Sequence, residues 1–284
     1  MARHTERRLF HAARVLAAAG LALAATGCAR DAGLASLPEK EPPPAERNEP
    51  ARPAPTPTRE APAPAPTATT EREAPAWVEL APGLRVDRVR RIVEFDGFVP
   101  WEFKDPEQPV TYLEAIVCKV DSKEHESLVA TRVRPSLVHG ALLSIGLEPG
   151  RPGRIGFDED GSFVREGATG PQVEVVIVTT WPDGVEREVN PLDWVVQVED
   201  GARFDRGASW HFAGSIERQR AGRAAYEADV EGVIVGLHTF GSEVVGLSAA
   251  LSPDSGVDEP EWIADVGAVP AFGEPVRVRI RAVD

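Results

Sequence analysis

The chain has 284 residues, 31 Lys+Arg against 45 Asp+Glu, and a formal net charge of −14. That sign excludes a nucleic-acid binder and a basic face that docks on anionic lipid heads, since both need positive charge. Two cysteines, Cys28 and Cys118, leave little scope for a disulfide framework, so stability has to come from a core.

In chain order, Arg3, Arg7, Arg8 and Arg14 precede the apolar run Val15 to Ala25, which is too short to cross a bilayer as a mature helix. Ala25, Thr26 and Gly27 then stand directly before Cys28. The block resembles a bacterial lipoprotein signal with its lipobox, with Ala25 where that family favours leucine. The resemblance implies a signal peptide over 1–27 and acylation of Cys28, by palmitate among other chains. Each buried methylene contributes about 0.8 kcal/mol, so several chains hold a protein on a membrane where one would exchange. Ala29 in place of the aspartate that retains such proteins at the inner membrane leans toward the outer one. The alternative is secretion without lipid.

Residues 28–82 are built from Pro, Ala, Glu, Thr and Arg, with Pro42, Pro43 and Pro44 in a row and Pro53, Pro55, Pro57, Pro62, Pro64 and Pro66 beyond. Such a stretch buries too little to fold and reads as a disordered, semi-rigid tether, rising about 3.1 Å per residue where extended. A Pro-rich ligand for a partner module is the other reading.

Residues 83–284 form the folded domain, with a division near residue 170 left open. Val86 to Phe98, Tyr112 to Val120, Ser127 to Val133, Gln172 to Thr180, Ser209 to Ser215, Ala225 to Val230, Val233 to Thr239 and Val276 to Val283 carry β-favouring runs. Val185 to Trp194 pairs with Gln172 to Thr180 across the turn Pro182-Asp183-Gly184. Leu137, Val138, Ala141, Leu142 and Ile145 repeat at helical spacing between Pro135 and Gly146. The expected class is α+β: predominantly antiparallel β with one short packed helix over about 135–146.

Val117-Cys118, Ser122 to Ser127, Arg134-Pro135-Ser136, Val138-His139 and Gly146 to Gly150 resemble the YdjY-domain family of bacterial exported proteins and lipoproteins. Val93 to Gly97, Trp194 and Trp210 to Ser215 extend the likeness over most of residues 85–283. The resemblance implies a shared fold and an envelope location, and it implies no reaction.

The segment Cys118 to Ser127 concentrates a thiol, an imidazole and carboxylates, groups that bind transition metals or move protons near neutral pH. Glu124, His125, Glu126 and His139 are the catalytic candidates; Cys118, His125 and His139 are the metal-ligand candidates for a divalent transition metal. Consecutive residues do not face one another, so His139 has to fold over that loop for either site to form. The structural alternative has Asp121 capping a short helical turn with Glu124 three residues on, and Cys118 as a small buried hydrophobe. His211 and His238 read as packed core or sheet-edge histidines, and the tryptophans as core or turn anchors.

Stronger motifs are missing. Val129 stands where a metalloprotease helix needs histidine, the serine within Gly246 to Ala250 lacks the last glycine of a nucleophile elbow, and no phosphate loop or nucleotide fingerprint occurs. One free thiol cannot hold an iron–sulfur cluster. The expectation is a membrane-anchored envelope lipoprotein facing the periplasm, whose domain is a non-enzymatic binding or interaction module with an envelope-protein or cell-wall partner. The alternatives are a metal-dependent or acid–base enzyme at the residues above, and a cell-wall or carbohydrate-binding domain with exposed aromatics in a shallow groove. No nucleotide partner and no resident cofactor is expected.

Overall fold

The computed structural model describes residues 76–283 except 106, 108, 109, 205 and 206. The signal peptide, Cys28 and the tether as far as residue 75 lie outside the described residues. Among the described residues no helix is long and apolar enough to cross a membrane.

Eight strands close into a barrel. In chain order they are β1 (Ile92–Phe98), β2 (Ala115–Lys119), β3 (Ser127–Thr131), β4 (Gln172–Thr180), β5 (Trp210–Phe212), β6 (Val233–Gly236), β7 (Val245–Leu247) and β8 (Pro275–Ala282). Around the ring the order is β1, β8, β4, β5, β7, β6, β2, β3, and β3 returns to β1 through the pair Phe98↔Ala130. All neighbours are antiparallel except β7 with β6 and β2 with β3.

The α+β expectation is therefore corrected. Strand accounts for 40% and helix for 11%, and of the two helices among the described residues, α1 (Pro135–Ser144) and α2 (Glu227–Glu231), only α1 exceeds seven residues. A sheet with one apolar face needs a cover, and a helix is the usual one; closing the ring instead buries that face against itself. Val93, Phe95, Val175, Ile177, Val278 and Ile280 fill the inside, all nearly or fully buried, and the register places Phe95 beside Val278 and Val278 beside Ile177.

Outside, the alternation gives an ionic ladder. Arg277, Arg279 and Arg281 of β8 face outward. Glu94 on β1, only 1% exposed, accepts from Arg85 Nε at 2.8 Å and Arg279 Nε at 2.8 Å, with Arg277 Nη1 at 3.7 Å. Arg277 reaches Glu186 at 2.6 Å and Arg281 reaches Glu174 at 2.9 Å. The Trp77 ring lies over the Arg85 guanidinium at 4.6 Å.

Several boundaries move. Val78–Ala81, assigned by composition to the tether, is a strand paired with Leu84–Asp87. The run expected as strand over Val185 to Trp194 is strand only over Glu186–Val189; Asn190 Oδ1 then accepts from Leu192 N at 3.0 Å and starts a 3-10 turn. Ala225 to Val230 is not one strand: the hairpin strand Arg223–Tyr226 turns into α2, whose Ala228 N donates to Ser215 Oγ at 3.1 Å. Helix α1 is docked to α2 by Asp229, which accepts from Ser136 N at 2.8 Å and Ser136 Oγ at 2.7 Å.

Candidate functional site

Strands β2 and β3 run parallel although few residues join them, so the return path has to be compact. Glu124 holds it together. Its carboxylate accepts from Ser122 N at 2.9 Å and also from Asp121 N. Burial works against its charge, but the backbone N–H donors outweigh burial and hold the carboxyl below the usual carboxylate range. Half of the expected capping box is present: the glutamate reaches back, while Asp121, at φ +60°, caps nothing and Lys123 precedes the turn Glu124–Glu126. Glu124 is a structural pin.

Cys118 lies fully buried on β2 under this crossover, where burial pushes its thiol upward in pKa. In a Cys28→Ser background, Cys118 should resist iodoacetamide in the folded domain and react fully once the protein is unfolded in denaturant. Rapid labelling under native conditions would show that the crossover opens.

His139 sits elsewhere. On α1 its Nδ1 is 2.9 Å from Gly214 O and 2.7 Å from Tyr226 Oη, and its ring meets the Phe212 edge with centroids 5.1 Å apart. Burial lowers its pKa. It lines a shallow cleft with Ser136, Pro149 and Ser215, whereas His125 lines a different one. Cys118, His125 and His139 therefore do not converge, and neither does the set Glu124, His125, Glu126, His139. Among the described residues no group of three or more His, Cys, Asp and Glu side chains is placed to hold a metal.

The structure gathers another set around His125 and Glu126. The register Ala115↔Ser127 places Glu114 beside Glu126, and Glu114 N donates to Glu126 O at 2.9 Å. Lys123 Nζ bridges the two carboxyls, at 2.7 Å from Glu114 and 3.2 Å from Glu126. Burial raises the Glu114 pKa above its ordinary value; Glu126 is lowered, its own burial outweighed by the bond from Glu114 and by Lys123.

These groups open onto a cleft of about 690 Å³ walled by Trp101, Tyr112 and Trp262, with His125, His238 and Asp258 around it. Backbone ties fix the walls: Leu113 N donates to Trp262 O at 2.8 Å, and His238 N donates to Glu114 O at 2.8 Å. His125 is at the rim, its side chain 59% exposed, with Nε2 at 3.3 Å from Glu126 Oε1. His238 is 9% exposed and burial lowers its pKa. His238 Nδ1 and Trp262 Nε1 are the two buried side-chain polar atoms without a hydrogen-bond partner among the described residues, and both residues line this cleft. A larger cavity of about 830 Å³, beside Trp181 and Val269, contains neither.

The family model of the YdjY domain matches residues 84–281, a span that holds the barrel from β1 through most of β8 and every wall of this cleft. The chain belongs to the YdjY domain family. No curated protein and no solved structure matches it.

In this YdjY domain, the cleft can accept hydrogen bonds from a ligand through its carboxylates, donate one from the Trp262 indole, and stack a flat ring on its aromatics. Glu114, His238, Trp101, Tyr112, Trp262 and Asp258 carried no signal as a group in the sequence. His238, read there as a core or sheet-edge histidine, is buried and lines the cleft, and its Nδ1 has no hydrogen-bond partner among the described residues. Only the parallel register of β2 and β3 brings Glu114 to Glu126, and a short crossover between parallel strands leaves no periodic trace.

Proposed function

We propose that this protein is an envelope lipoprotein, anchored through lipid on Cys28, that displays its YdjY domain on the proline-rich tether to bind a small polar ligand in the aromatic cleft. The observation that carries the binding reading is that His238 and Trp262, which both line this one concave site, each keep a buried polar atom, Nδ1 and Nε1, without a hydrogen-bond partner among the described residues. A buried polar group without a partner costs about 1–3 kcal/mol, and a ligand that supplies the missing bonds recovers that cost on binding. The anchor reading rests on the basic leader, the short apolar run and the small residues before Cys28.

The two parts are tested separately. Cells given radiolabelled palmitate should label the wild-type protein and retain it with membranes, while Cys28→Ser should be unlabelled and leave the membrane fraction; equal retention of both would end the anchor reading. For the cleft, the indole N–H resonance of Trp262 is followed by NMR against small fragments bearing hydroxyl or carbonyl acceptors. Such fragments should move that resonance, and Trp101→Ala with Tyr112→Ala should weaken the response at least tenfold. Fragments that shift other signals but leave Trp262 still would sink the cleft as the binding site.

A further inference from the structure

The chemistry of the walls narrows the ligand, on the reading that the cleft is the binding site. Four carboxylates line it, from Glu114, Glu126, Asp258 and Glu261. Two fixed cations face them: Lys123 on the Glu114–Glu126 pair, and Arg165, which grips Asp258 at 2.9 and 2.7 Å. Glu261 is held by a neutral donor, Gln197 Nε2, at 2.9 Å. The cleft therefore favours a cation over an anion of the same shape. Its aromatic walls favour the same ligand twice over, because ring faces attract both a positive charge and the apolar face of a saturated ring.

The unpartnered atoms add a second demand. The Trp262 indole only donates, so the ligand must offer it an acceptor; a neutral His238 ring either donates or accepts at Nδ1 according to its tautomer. Hydroxyl groups meet both needs at once. The volume, about 690 Å³, lies within the range of pockets that enclose a small organic molecule.

We infer that the cleft takes a polyhydroxylated ring bearing a protonated amine, in other words an N-unsubstituted amino sugar, with its ammonium at Glu114 and Glu126 and its hydroxyls at Trp262 Nε1 and His238 Nδ1. Lys123 does not block this arrangement: it is turned to the two carboxyls and to the Phe240 ring, 5.1 Å from its centroid, and neutralises only one charge of the pair.

The test is calorimetric titration of the whole domain, slightly below neutral pH, with glucosamine, N-acetylglucosamine and glucose as probes. Glucosamine should bind at least tenfold more tightly than the other two, and the difference should shrink as salt is raised. Glu126→Gln, checked for an unchanged melting temperature, should remove most of the preference while leaving the weak binding of glucose in place. His238→Phe should weaken all three. Equal affinity for the three sugars overturns the amine assignment and leaves the cleft as a sugar site; binding of none overturns the assignment, and the Trp262 resonance then decides independently whether the cleft binds anything.

Discussion

Glu94→Ala should lower the free energy of unfolding by about 3 kcal/mol or more, read as a shift of the urea midpoint at constant slope. Glu94 is 1% exposed, and three arginines point at it: Arg85 and Arg279 by hydrogen bonds, Arg277 at 3.7 Å. Removing the carboxylate leaves their guanidinium groups crowded on one outer face of β1 and β8 with no common acceptor. Breaking a buried pair from one side is far more damaging than losing an exposed one, because the remaining charge keeps its desolvation cost. The neighbouring pairs Arg281–Glu174 and Arg277–Glu186 are more exposed, so Glu174→Ala should cost well under half as much. If Glu94→Ala and Glu174→Ala cost the same, Glu94 is not the centre of the ladder.

Gly97→Val should cost about 3 kcal/mol and should act at one place. The ring closes where β1 meets β3, through Phe98↔Ala130 and a bond from Thr131 Oγ1 to Asp96 O at 2.6 Å. A Cβ added at Gly97 would come within 2.6 Å of Val129 Cγ1 and 3.1 Å of Ala130 O, so the two strands could not approach. Amide exchange should quicken first in β3 and the end of β1, with β4 and β8 slower to respond. A uniform rise in exchange, with no bias toward this seam, would show that the residue matters for general packing and not for closure.

What the sequence made legible was local. Alternating Val278, Ile280 and Arg279, Arg281 announced a half-buried strand, and it is β8; Pro135 and the spacing of Val138, Ala141 and Leu142 announced α1; Asp183-Gly184 made the turn, with Gly184 at φ +76°. What it hid was which strands meet. A period of two gives a strand its faces and says nothing about its neighbour, so an open sheet covered by a helix and a closed ring look alike until pairs such as Phe98↔Ala130 are known. The chemistry divides the same way. The segment Cys118 to Ser127 drew notice through its composition, yet it contributes His125 and Glu126 to the cleft, while Glu124 fastens the crossover, Cys118 is buried beneath it, and His139 answers to Gly214 and Tyr226. The other walls come from Trp101, Tyr112, His238, Asp258 and Trp262, scattered along the chain, and only the fold assembles them.

The position of β8 governs the order in which the domain can be built. Residues 275–282 slot between β1 and β4, pairing Val278 with Phe95 on one side and with Ile177 on the other. Until that strand is in place, β1 and β4 each present a bare edge and the interior has no wall, so the ring closes only through pairings between residues far apart in the sequence. Pairings of such long sequence separation fold slowly.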